Sequence, residues 1–258
     1  MSAGHPAIHL VAVPRIPAIR PGDDLARILG DALEAAALRP RRGDVLVVTH
    51  KIVSKAEGRY VSLADITPSP RARKLAAATG KDPALVEVIL SESRDVLRFR
   101  PGLIVTEHRL GMVLANAGVD RSNVPRDGDP PRVLLLPKDP DASSAALRDA
   151  LQERFGEQLA VVVSDSVGRA WRQGVVGLAI GAAGLPALLD LRGQRDLEGR
   201  ALEVTQVGLA DEIASAAQLL MGEADEGRPA VLVCGLAWDG PPLPATALIR
   251  EREADLFR

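Results

Sequence analysis

Cysteine is almost absent: Cys234 stands alone in 258 residues, so no intramolecular disulfide and no thiolate metal cluster can form. Aromatic rings are scarce as well. Tyr60, Phe99, Phe155, Trp171, Trp238 and Phe257 are the whole set, which denies the chain the stacking platforms of a single-strand nucleic-acid binder. Neither sign of charge dominates. With 32 Lys and Arg against 34 Asp and Glu, the formal charge is −2, and the basic footprint of a DNA-binding protein is missing. No apolar run approaches the roughly 18–20 residues needed to cross a bilayer. The segment Met1 to Pro14 lacks the basic and apolar regions of a secretory leader. Fixed-period repeats and low-complexity tracts are also lacking. The expectation is a cytoplasmic protein with neither nucleic acid nor membrane as partner. What is present is ordinary globular composition, 47% hydrophobic and 26% charged, long enough for one large domain or two small ones.

Short β-branched runs alternate with Ala- and Leu-rich helical stretches. Ile8 to Val13 reads as a strand and stops at Pro14. Leu25, Ile28, Leu29, Leu33 and Ala36 supply one apolar face at helical period over Leu25 to Leu38. Val45 to Val48 is an unbroken apolar run of the kind found in a strand covered on both faces. Pro70 to Thr79 and Pro83 to Leu90 read as helices separated by Gly80, and Leu110 to Ala115 and Val133 to Leu136 as strands. Further on, Ala142 to Phe155 is predicted helical with Asp141 as N-cap, and Leu159 to Val163 a strand. Gly174 to Gly184 holds four glycines, which suggests a tight turn or a close backbone approach rather than a regular element. Leu209 to Met221 is a helix ending at Gly222, and Ala230 to Cys234 a buried strand. The pattern predicts an α/β or mixed α+β chain of two subdomains, with one candidate boundary in the Pro-rich stretch 125–131.

Three acids share one local setting, an apolar element that ends in a Gly- or Ser-containing turn: Asp120, Asp165 and Glu223. Hard cations such as Mg²⁺ and Mn²⁺ take such oxygens. An acid just after a strand serves equally as a turn or cap residue. Among His5, His9, His50 and His108 there is no metal-binding pair spacing, which argues against zinc. Thr49-His-Lys51-Ile-Val-Ser-Lys55 follows a buried strand, where backbone N–H groups and lysines can cradle a phosphate; a solvated Lys/Glu helix face is the plainer alternative. Arg169 and Arg172 lie close enough to Asp165 in sequence to meet an anionic substrate, or simply decorate a surface turn. Cys234 reads as inert core, and no serine sits in a nucleophile elbow, so covalent catalysis has no support.

The blocks Gly43-Asp-Val-Leu-Val-Val48, Ile52-Val-Ser-Lys55-Ala-Glu-Gly58, Asn116-Ala-Gly-Val-Asp120-Arg-Ser-Asn123-Val124 and Ser164-Asp165-Ser166-Val-Gly168-Arg169 occur in that order. They continue as Gly174-Val-Val-Gly177-Leu-Ala-Ile-Gly181 and Ala210-Asp-Glu-Ile-Ala214 leading to Leu220-Met-Gly-Glu223. In this order they resemble the coenzyme F420:L-glutamate ligase family, from about Ile16 to Leu236. The resemblance implies a GTP-dependent amide ligase that adds L-glutamate to the glutamate-free deazaflavin coenzyme precursor, first singly and then in γ-linkage, through an acyl phosphate. It implies that Asp120 and Asp165 bind one divalent cation, Mg²⁺ or Mn²⁺, that Ser166 and Glu223 serve a second, and that potassium is a further cation. Ile16, Pro17, Ala18, Ile19, His50, Lys51, Lys55 and Asn123 match its GTP-contacting positions, as do Met221, Gly222, Glu223, Ala224, Asp225, Glu226, Gly227 and Arg228. Catalytic roles fall to Asp120, Asp165, Lys55 and Arg169. Two departures stand out: Ser166 stands where a threonine is common and keeps the hydroxyl, and His50-Lys51 stand where some relatives have small hydroxylic residues. The family fold implied is two α/β subdomains in an intertwined homodimer, without the C-terminal reductase-like domain of some relatives. The rival readings are a metal-dependent nucleotide hydrolase or phosphatase on the same site, and a non-catalytic nucleotide- or coenzyme-binding module.

Overall fold

A computed structural model describes residues 6–122 and 131–256. Its elements in chain order are β1 (His9–Ala12), α1 (Leu25–Ala35), β2 (Val45–Thr49), α2 (His50–Ala56), β3 (Tyr60–Ser62), α3 (Pro70–Thr79) and α4 (Pro83–Ser91). There follow β4 (Ser93–Arg100), β5 (Leu103–His108), β6 (Val113–Ala115), β7 (Arg132–Leu134) and α5 (Pro140–Phe155). The rest are β8 (Ala160–Arg169), β9 (Arg172–Ala183), β10 (Leu189–Asp190), β11 (Gln206–Val207), α6 (Leu209–Met221) and β12 (Ala230–Cys234). The mixed α/β class read from the sequence is the observed one.

The central sheet has the order β1-β12-β2-β8-β9, with β2 and β8 parallel and the other pairs antiparallel. Period-two alternation sends Leu46, Val48, Val161, Val163 and Leu232 to one face, where α1, α2 and α5 cover them. Val45, Val47, Val162, Val231 and Val233 point to the other face, against Leu209, Ile213, Ala217 and Met221 of α6. Two-sided cover explains why these strands are written as unbroken apolar runs. A third cluster joins α3 and α4 to Ile104 of β5 and Val133 of β7, beside the small sheets β4-β5-β6 and β3-β7. Residues 125–130 of the candidate boundary lie outside the described residues.

Several sequence expectations need correction. The α5 N-cap is Asp139, whose carboxylate accepts from Ala142 N at 3.0 Å, because Pro140 takes the first helical position. Asp141 instead accepts from the backbone N–H of Ala182 and of Ala245, both at 2.8 Å, tying β9 to the segment near residue 245. In the glycine-rich stretch, Gly174, Gly177 and Gly181 lie within the twelve-residue strand β9, and Gly184 is the left-handed turn that follows it. The close approach expected of the stretch is real, since a Cβ on Gly177 would lie 2.5 Å from the Ala214 carbonyl oxygen and one on Gly181 2.2 Å from that of Pro140. Glycine lets α6 and α5 close onto the strand. The β4–β5 hairpin went unread because β4 is mostly exposed and shows little alternation. Leu110 to Met112 is a turn, leaving only Val113–Ala115 as strand, and β7 ends at Leu134 rather than Leu136. The strand at Leu159–Val163 runs on to Arg169, so Asp165 and Ser166 lie within β8 and not in a turn after it.

Candidate active site

Strand β2 ends at Thr49, paired to Ser164 of the parallel β8, which runs on past it to Arg169. Ligands of open α/β sheets collect beyond such carboxyl ends, and the sequence-predicted residues collect there too. Directly after β2, Thr49 caps α2, its hydroxyl accepting from Lys51 N at 3.5 Å. The helix turns His50 inward, fully buried, and Lys51 and Lys55 to the half-buried rim.

His50 Nε2 stands 3.2 Å from Asp165 Oδ1, and its Nδ1 3.4 Å from Ser54 Oγ. An N–H on Nε2 can donate to the carboxylate, with Ser54 the partner of the other ring nitrogen. His50 thus braces Asp165 from within the core, a role its polar neighbours in sequence did not suggest. Beside Asp165, the pairing of β8 with β9 skips Ile180, between Val163–Gly181 and Ser164–Ala179, a bulge on β9 of the kind found next to sites. Ser166 follows, its hydroxyl donating to Glu223 Oε1 at 3.0 Å. Gln218 of α6 donates to the same oxygen at 3.0 Å and to the Gly222 carbonyl at 2.7 Å. The segment after α6 folds on itself: Glu226 accepts from Ala224 N, and Arg228 reaches back to the Leu220 carbonyl.

Asp120 arrives from a strained loop. Asn116, Ala117 and Gly118 take φ of 52°, 53° and 64°, three consecutive left-handed residues of which two carry a Cβ. Each such non-glycine residue costs on the order of 1–2 kcal/mol, and strain of this kind concentrates at functional sites. The turn is held by burial of Ala117 and by Asn116 Oδ1, which accepts from Ile104 N at 3.3 Å. The backbone of Asp120 then exchanges both hydrogen bonds with Leu134, at 2.9 and 2.8 Å. Its side chain takes the Lys51 ammonium at 2.9 Å and the N–H and hydroxyl of Ser122 at 2.6 and 3.0 Å. Burial alone would raise the Asp120 carboxyl, but the Lys51 and Ser122 hydrogen bonds and the Lys51 charge outweigh it and hold it below the ordinary aspartate value. Lys55 moves downward from the usual lysine range, chiefly through burial and then through the Lys51 charge, with Asp120 opposing. A bound polyanion would relieve both effects.

The structure therefore joins Lys51 to Asp120, His50 to Asp165, and Ser166 to Glu223, in one row through the adjacent pairs His50–Lys51 and Asp165–Ser166. Ile16 and Ile19 enter the loop after β1 and pack against the cluster that contains Ile52 and Val53 of α2, with Pro17 and Ala18 exposed between them. Arg169 is not gathered into the row. Its guanidinium bonds the Gln173 carbonyl at 3.2 Å on its own hairpin, four strand residues or about 13 Å from Asp165. Asn123 lies outside the described residues. Ser122 lies within the motif at 116–124 and the sequence could have marked it, whereas nothing in the α6 pattern sets Gln218 apart.

Among the described residues, no three of His, Cys, Asp and Glu stand together as a cluster able to hold a metal ion. In donor chemistry the carboxylates of Asp120, Asp165 and Glu223 and the hydroxyl of Ser166 fit a hard divalent cation. In this structure those oxygens are engaged by Lys51, His50 and Gln218.

Comparison with known proteins places the chain in a family. A family profile described as F420-0:Gamma-glutamyl ligase matches residues 14–235. The coenzyme F420:L-glutamate ligase of Methanopyrus kandleri is 49% identical over 260 residues, covering 99% of both chains. That of Methanothermobacter thermautotrophicus is 47% identical over 256 residues, covering 97% of this chain and 99% of the relative. The namesake from Halorubrum lacusprofundi is 44% identical over 232 residues, 88% of this chain and 86% of its own. The matched span takes in the β2–α2 junction, the Asp120 loop, the β8 acid and the segment after α6, and the chain belongs to the F420-0:gamma-glutamyl ligase family.

Proposed function

We propose that this protein ligates L-glutamate to the glutamate-free precursor of coenzyme F420, using GTP. The observation that carries the reading is the row of acids and lysines where β2 ends beside the middle of β8, in a chain of this family. In the reaction, a carboxylate oxygen of the coenzyme side chain takes the γ-phosphoryl group of GTP, releasing GDP. The glutamate amine then attacks the acyl carbon, phosphate leaves, and the nitrogen loses a proton as the amide forms. A second round on the γ-carboxyl of the added residue gives the γ-linked product.

Lys51 and Lys55 would meet the transferring phosphate, where cations at a developing charge contribute most. His50 holds Asp165 in place, and Lys51 and Ser122 orient Asp120. Ile16 to Ile19 and Met221 to Arg228 would frame the nucleotide, and Arg169 would meet anionic substrate from the hairpin. Asp120 and Asp165 would hold one Mg²⁺ or Mn²⁺ and Ser166 and Glu223 a second. Such ions neutralise phosphate charge and polarise phosphoryl oxygens when bound. Potassium as a further cation, a homodimeric state with two subdomains per chain, and a cytoplasmic setting complete the proposal. No helix among the described residues is long and apolar enough to cross a membrane.

The test incubates pure protein with GTP, Mn²⁺ or Mg²⁺, glutamate and the glutamate-free coenzyme. Products heavier by glutamate units, formed with GDP, support the reading. GTP hydrolysis without either acceptor would favour a hydrolase, and tight binding without turnover a binding module.

A further inference from the structure

A second concave site lies at the opposite end of the central sheet. Strands β2 and β8 run from it to the candidate active site, so the two are separated by the length of β2, about 16 Å. Its cavity of about 590 Å³ opens where Gly43 and Gly184, with φ of +88° and +86°, turn the chain at the start of β2 and the end of β9. This volume is within the usual range for small-molecule sites. Leu159 and Leu236 give apolar surface, and the half-buried indole of Trp238 forms a wall.

The charges around it are specific. Arg42 lines the cavity, is exposed, and has no carboxylate within ion-pair distance among the described residues. Arg148 spends Nε and Nη2 on Asp149 Oδ1, at 2.8 and 2.6 Å, and its Nη1 has no hydrogen-bond partner among the described residues. Arg42 and Arg148 are the charged side chains of the lining, and with Arg148 already paired to Asp149 the cavity suits a small anion of low charge. An indole wall beside a free guanidinium edge is the arrangement that takes a flat ring bearing one acidic group.

We propose that this cavity is a binding site for a planar aromatic monoanion, separate from the ligase site. The test titrates the ¹⁵N-labelled full chain with 2-naphthalenesulfonate and follows its two indole N–H signals, assigned with Trp171→Phe. The expected result is a saturable shift of the Trp238 signal that GTP does not reverse, weakened at least about fivefold by Arg42→Gln and by Arg148→Gln and far weaker with methanesulfonate. Both variants must keep the wild-type dispersion of signals, and should one fail to fold, the other decides. A shift confined to Trp171, displacement by GTP, no saturation up to about 10 mM, equal binding of methanesulfonate, or unchanged affinity in a folded arginine variant would overturn the proposal.

Discussion

The Lys51 ammonium lies 2.9 Å from Asp120 Oδ2, joining the first turn after β2 to a loop that arrives 69 positions later. Both side chains are about a quarter exposed, so the pair adds at most about 1 kcal/mol to stability. Its consequence is for orientation. Lys51→Ala is therefore expected to lower ligase turnover at least about tenfold while moving the thermal midpoint by only a few degrees. Steady-state kinetics beside a melting curve decides the matter, and unchanged turnover would remove Lys51 from the site.

His50 is expected to be costlier to remove. Replacing it by alanine leaves a cavity and strips Asp165 of its buried donor, a loss of about 1–3 kcal/mol for the hydrogen bond alone. His50→Gln can still place an N–H near Asp165 and should recover part of both stability and turnover. Denaturant titration of the two variants checks this; equal damage from both would mean that His50 serves only to fill space.

Glu92 supplies an acid-stability signature away from the site. Its carboxylate is flanked by Arg59 at 3.1 Å, Arg109 at 3.0 Å and His108 at 3.5 Å. Burial would raise its pKa, but the His108 ring beside it, the Arg109 hydrogen bond and the charges of Arg109 and Arg59 win, holding it at about 2 against an ordinary 4.5. A depressed folded pKa stabilises above the unfolded value, and that stability is lost as pH falls through the folded one. The contribution is on the order of 3 kcal/mol at neutral pH and fades between about pH 4.5 and 2. Urea unfolding should show the gap between wild type and Glu92→Gln narrowing across that window. A gap independent of pH would contradict the ion-pair account.

Gly181→Ala puts a methyl 2.2 Å from the Pro140 carbonyl oxygen, and backbone cannot yield as a flexible side chain can. A loss of about 3 kcal/mol or more, or failure to fold, is expected by chemical denaturation. A variant of wild-type stability would show that α5 does not pack as closely on β9 as described.

Trp171 sits at the tip of the β8–β9 hairpin, 88% exposed and with φ of 65°, an uncommon conformation for a bulky residue. Trp171→Leu is expected to weaken coenzyme binding and leave stability nearly unchanged. Calorimetry giving wild-type affinity would discard the ring as a stacking surface.

Legibility followed locality. α6 and β12 were read to the residue, since Gly222 and the unbroken Ala230–Cys234 run mark them in the sequence itself. Cys234 is the inert thiol expected, its pKa raised to about 11 by burial and by nearby Asp44. The acids Asp120, Asp165 and Glu223 were visible as residues following apolar elements, but their partners were not. His50 meets Asp165 through the parallel pairing of β2 with β8, Lys51 meets an Asp120 held by its backbone pairing with Leu134, and Ser166 meets Glu223, 57 positions away, through the packing of α6. Spacing rules see neighbours three or four residues apart and miss such pairs. Asp139 and Asp141 exchanged roles for a similar reason: the cap follows from Pro140, while the two backbone donors that hold Asp141 come from residues 182 and 245.

Glutamate ligation is assigned to the row where β2 ends beside the middle of β8. Mass spectrometry of the glutamate-free coenzyme after incubation with GTP, divalent cation and glutamate tests it most directly, comparing wild type with Asp165→Ala. The account predicts a mass gain of one or more glutamate units with GDP formed for wild type, and a loss of turnover of at least about a hundredfold for the variant. No mass gain in the wild type, or near-normal turnover by Asp165→Ala, would contradict it.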